Sequence, residues 1–149
     1  MRRPVIALVV VVAVGALGAG GWALKEHHER SGIVKRSERA CGTLDQPDAG
    51  APAQLPLGLP TTAGESVLRV TTQGKTTIAF AKIAGGRSDI VAVRDRVLAD
   101  LRGAHYTVTG TDQEPSYEAE ARLGGTHTGT LKVSPLCTGL LEVRYSIQL

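Results

Sequence analysis

Cys41 and Cys137 are the two most reactive side chains in this sequence, and the compartment decides their chemistry. Outside a reducing cytosol, such an even pair is expected to form one disulfide. Closing a loop of about 100 residues would stabilise the fold by about 4–5 kcal/mol in the chain-entropy model. A catalytic thiol would call for a CxxC spacing or a neighbouring base, and neither cysteine has one. Lipid attachment at Cys41 is not expected either, because Arg39 and Ala40 precede it and charges separate it from the apolar N-terminal run.

The remaining candidates for chemistry are weaker. His27 and His28 are adjacent in KEHHER, and neighbours on a helix point in different directions, so they make a poor metal pair. His105 and His127 could form a site with Asp112 or Glu114 only through a tertiary arrangement that spacing does not reveal. The turn Ala84-Gly85-Gly86-Arg87-Ser88 leads into a helix and could offer backbone N–H groups to an anion; its simpler reading is a strand-to-helix turn. There is no GxSxG elbow, Walker-type loop, HExxH or post-strand GxGxxG. No catalytic, cofactor-binding or metal-ligating residue is therefore expected. Glu118, Glu120, Arg122, Glu142 and Arg144 fall on the wet side of alternating strands and form the candidate partner surface; otherwise they are a solvated face.

The elements that would position these residues begin with residues 5–24, an uncharged stretch preceded by Arg2 and Arg3. As a helix it would span about 30 Å, the hydrocarbon thickness of a bilayer. Trp22 near its far end suits an interface. The expectation is a single-pass signal-anchor whose partner is the lipid bilayer, with a cleaved signal and secretion as the alternative, because Ala16, Gly18, Ala19 and Gly20 would suit a peptidase. Counting Lys and Arg alone would keep the C-terminal side in the cytoplasm, since its flank carries Lys25, Arg30, Lys35, Arg36 and Arg39. The short arginine head, the acids interleaved in that flank and the cysteine pair favour the outside.

The net charge of +3 belongs to these flanks: from Cys41 onward ten bases face eleven acids. No nucleic-acid partner is expected of such a domain, which lacks a basic excess of its own. The Arg, Ala, Gly and Val bias suits a GC-rich bacterial genome.

Residues 44–64 hold four of the seven prolines and read as a semi-rigid tether, with the leucines of LPLGLP docking on the domain. The division is then 1–24 for the membrane segment, 25–64 for the juxtamembrane segment and Pro/Ala/Gly-rich tether, and 65–149 for an extracytoplasmic α+β domain. Within the last, residues 66–72 and 76–83 form a hairpin about Gly74. A helix follows, with Ser88 as N-cap and Gly103 as its stop. Ile90, Val93, Val97, Leu98 and Leu101 make its apolar stripe, with Arg94, Asp95, Arg96 and Asp100 outside. Strands are expected at 105–109, 117–123 and 141–149, with residues 126–134 as an optional extra one. Leu141, Val143, Tyr145, Ile147 and Leu149 should face inward. The order β-β-α-β-β-β predicts a two-layer fold, a mainly antiparallel sheet with one helix on one face. Over residues 54–149 the pattern loosely resembles small exported domains of GC-rich Gram-positive bacteria, a resemblance that supplies no functional residue. The functional expectation is a non-enzymatic, membrane-tethered module that binds an envelope protein or polymer. An accessory subunit of an envelope assembly and a small envelope enzyme are the alternatives.

Overall fold

The computed structural model describes residues 25–149. The membrane segment expected at residues 5–24 lies outside the described residues. Among the described residues, no helix is long and apolar enough to cross a membrane. The compact unit that carries the sheet runs Ile33–Leu149.

Six strands build one sheet: β1 (Ser66–Gln73), β2 (Thr76–Ala84), β3 (Thr107–Glu114), β4 (Glu118–Gly124), β5 (Thr128–Cys137) and β6 (Leu140–Gln148). Their order across the sheet is β1-β2-β6-β5-β4-β3, and every pairing is antiparallel. The optional strand near residues 126–134 is thus a full strand, paired on both sides. Leu131 and Val133 make it so, because both are fully buried on the inner face opposite Tyr145 and Val143.

Among the described residues there are two helices, one of them ahead of the domain in which a single helix was expected. Residues 25–38 are helical and are called α1; they carry i,i+4 pairs of the kind that support a solvated helix, Lys25 with Glu29 and Arg30 with Glu26. The second helix, α2 (Ile90–Gly103), packs on β3, β4 and β5. Its expected stripe is buried in full: Ile90, Val93, Val97, Leu98 and Leu101. Ala119 and Ala121 lie beneath it with almost no exposure, and such small side chains let a helix sit close to a sheet. The alternation of β6 holds for Leu141, Val143, Tyr145 and Ile147. Leu149 breaks it at 59% exposed, because it lies past the end of the strand.

Four local expectations are corrected. Ser88 is not the N-cap of α2. It sits exposed inside a 3-10 turn (Arg87–Asp89), because the Asp89 carboxylate reaches back to the Gly86 N–H at 2.8 Å and starts the turn earlier. Gly103 is the last residue of α2 and not its left-handed stop; that conformation falls to His105 at φ 68°. The N–H groups of His105 and Tyr106 bond to the carbonyls of Arg102 and Leu101, which is a Schellman closure. Arg94 is buried rather than outside. It lies one turn from Ile90 and Leu98 on the stripe, and its guanidinium escapes sideways to Asp95 at 2.7 Å and to the Asp112 carbonyl. Finally, the strand expected to end at residue 109 continues as β3 to Glu114, paired with β4 through a bulge at Val108/Gly110.

The tether is docked along part of its length. Leu55 and Leu59 are buried in the same cluster as α2's stripe, while Leu57 stays exposed. Asp48 N–H bonds to the Leu68 carbonyl at 2.8 Å, so the segment also lies against β1, an edge strand that would otherwise present unpaired backbone.

Candidate functional site

The sheet face opposite α2 carries the site, and two bulges build it. In β1 the register slips between Val67 and Arg69, so that Arg69 stands opposite Phe80. Strict alternation from Val67 would have sent Arg69 into the core. The extra residue instead puts Leu68 and Arg69 on the open face together. In β5 a second slip between Pro135 and Cys137 does the same for Leu136 and Cys137. Leu68, Leu136 and Cys137 then form a small apolar cluster with Cys41, Phe80 and Leu140.

The chain leaving α1 crosses this face and is fastened there. Cys41 and Cys137 form the expected disulfide, with Cα atoms 5.0 Å apart and a sequence separation of 96. Thr138 donates both its N–H and its hydroxyl to the Arg39 carbonyl at 3.0 Å. Lys82 donates to the Asp45 carbonyl and lies 3.8 Å from that residue's carboxylate.

Between this strap and the strands lies a groove of about 520 Å³, within the usual range for small-molecule sites. Arg36 and Arg39 line it from the α1 side, Arg69 from β1, Lys132 from β5, and Glu142 and Arg144 from β6. Asp48, at the end of the strap, is the other acid on its wall. Phe80 lies in the middle, with the Arg69 guanidinium 4.0 Å and the Arg144 guanidinium 5.6 Å from its ring centre. Burial raises the Glu142 carboxyl above its usual range, against the opposing pull of Arg69, Arg144 and Arg36.

The five residues of the candidate partner surface share the open face but separate into two groups. Glu142 and Arg144 belong to the groove. Glu118 and Glu120 clasp Lys132 at 2.5 and 3.1 Å. Burial alone would lower the Lys132 ammonium, but hydrogen bonds and attraction from both carboxylates outweigh it and raise it. Arg122 stands exposed opposite Thr130. Asp112, Glu114, Glu118 and Glu120 then rim a shallow hollow of about 80 Å³ at the β3–β4 end.

The histidine arrangement does not assemble. His105 closes α2, and His127 lies in the β4–β5 turn. Asp112 and Glu114 are at the other end of β3, about 20 Å away at strand rise. Among the described residues, no group of three or more His, Cys, Asp or Glu could hold a metal ion. His27 and His28 are both exposed on α1. In the turn before α2, the Asp89 carboxylate occupies the Gly86 N–H, and Arg87 turns away to the Ser116 carbonyl at 2.8 Å.

Sequence reasoning missed Arg69, Phe80, Arg36 and Arg39 as parts of one site. One signal was present: a disulfide at Cys41 must carry Arg39, two residues earlier, onto the domain. It also missed a buried polar network on the other face. Glu65 accepts from Tyr145 Oη at 2.8 Å and from the Thr62 N–H at 2.9 Å, while the Thr62 hydroxyl donates to Asp100 at 2.7 Å. Burial raises the Glu65 carboxyl, the two hydrogen bonds lower it in part, and Asp100 adds to the rise. Burial and the Glu65 carboxylate together push the Tyr145 phenol far up.

No family model, curated protein or solved structure matches this chain.

Proposed function

We propose that this chain is a membrane-tethered, extracytoplasmic binding module without catalytic function, and that its envelope partner, a protein or a polymer, docks in the groove of the open sheet face. The observation that carries this reading is the groove itself: a concave, arginine-lined site fastened by a disulfide at the end of the segment that leads from the N-terminal apolar run. A disulfide persists in oxidising compartments, which supports the extracytoplasmic side. Residues 5–24 supply the anchor by their length and lack of charge. The length of β3 between His105 and the pair Asp112 and Glu114 weighs against an enzyme built on that arrangement.

Site-specific photo-crosslinking in intact cells tests the docking site. A crosslinker at Leu44 or Ser134, both lining the groove, should give discrete adducts, and one at Arg102 on the far side of α2 should not. Equal labelling from both faces would end the proposal of a groove-specific partner. Thiol labelling of intact cells, with and without reductant, tests sidedness. Cysteines that react only after reduction, with an impermeant reagent, are expected; free cytosolic thiols would overturn the placement.

A further inference from the structure

Arg36, Arg39, Arg69 and Arg144 converge on one groove from three separate parts of the chain. Among the described residues none of the four forms a direct ion pair, whereas Lys132, on the same wall, is paired with Glu118 and Glu120, and Arg94 and Lys82 are paired outside the groove. Arg69 and Arg144 lie against the Phe80 ring, which fixes their guanidinium groups without neutralising them. Glu142 is the one carboxylate of β6 in the groove, and it faces three of these arginines at once. Gathering four cations is unfavourable in the free protein unless an anion joins them. The chemistry of that anion follows from the geometry. A carboxylate has both oxygens in one plane, the geometry that a single guanidinium fork matches. A phosphate group directs its oxygens tetrahedrally, so it can be shared by guanidinium groups approaching from different walls. The basic residues are gathered in one groove of a domain with no basic excess of its own from Cys41 onward, unlike the continuous basic stripe that a nucleic acid would need.

Resting on the docking reading above, we propose that the groove is a phosphate site: it takes a short chain of phosphodiester or phosphoanhydride groups that bridges Arg36 and Arg39 on the α1 side to Arg69 and Arg144 on the sheet. Glu142 limits the affinity by repelling the ligand from the floor of the site.

Calorimetric titration of the full, oxidised chain in nonionic detergent with inorganic tripolyphosphate tests this. Saturable one-to-one binding that weakens as salt rises is expected. Arg69→Gln and Arg144→Gln should each weaken it about tenfold. Arg96→Gln and Arg102→Gln, on the exposed side of α2, should leave it unchanged. Glu142→Gln should strengthen it about three- to tenfold, a gain that a folding defect would not mimic. Absence of saturable binding, equal binding of citrate, or equal losses in the α2 variants would each overturn the proposal. So would binding to phosphatidylglycerol nanodiscs without any binding of tripolyphosphate, because the site would then be reading a membrane surface. Groove-specific crosslinks without phosphate binding would sink this chemistry and leave the docking reading standing. Loss of both would sink the two together.

Discussion

The same strands present two faces of opposite design. The face under α2 is continuous and dry. Leu131, Val133, Val143 and Tyr145 have no exposure, and the one buried carboxylate there, Glu65, is held by two donors. The open face is interrupted. Two bulges, a disulfide and a strap from α1 turn what would be a flat solvated surface into a groove. Regular alternation builds the core, and departures from it build the site. The comparison also separates two kinds of stabilisation. The inner face depends on burial and satisfied polar groups, while the open face depends on covalent closure and sets several arginines around the single carboxylate of Glu142.

Cutting the closure should have the largest effect. Cys41→Ser with Cys137→Ser is expected to lower the unfolding free energy by about 4 kcal/mol, in urea melts under non-reducing conditions. A loss below about 1 kcal/mol would mean that the backbone contacts of the strap suffice without the covalent link. On the inner face, Tyr145→Phe removes one donor from the buried Glu65 carboxylate. It should cost about 2 kcal/mol by the same measurement, and a neutral outcome would show that the network does not seal that face.

Glu65 also gives the inner face a pH dependence. Its folded pKa is raised above the ordinary value of 4.5, so the folded state holds the proton more tightly than the unfolded chain. The stability this contributes is fully present below the unfolded value and is lost as pH rises through the folded one. Melts between about pH 4 and 7 should therefore show the wild type losing stability relative to Glu65→Gln as pH increases. A constant difference would place the carboxylate in contact with water. The smallest effect belongs to the open face. Arg69→Gln should change stability by less than about 0.5 kcal/mol, because Arg69 is exposed and attracts Glu142 only at longer range, without a direct ion pair among the described residues. A large loss would show that the Arg69–Phe80 contact holds the bulge in place, and would make Arg69 a structural residue.

Sequence reading reached the inner face well because its signals are local. The β6 alternation and the α2 stripe each express a fixed steric period, two for a strand and 3.6 for a helix, and the first hairpin turns on a single glycine, Gly74. It reached the open face only in part. Glu142 and Arg144 were identified on that face with Glu118, Glu120 and Arg122, but not Lys132, which lines the groove and holds both Glu118 and Glu120.

What the sequence by itself determined is therefore the antiparallel α+β plan, the buried stripe and the pairing of its two cysteines. The tertiary structure alone decided which way Arg69 points, where Arg36 and Arg39 arrive, why Arg94 is covered and how Glu65 is buried. A bulge changes the face of every later residue at the cost of one backbone pairing, and it is chosen by the fit of whole strands to their neighbours. No window of a few residues contains that information.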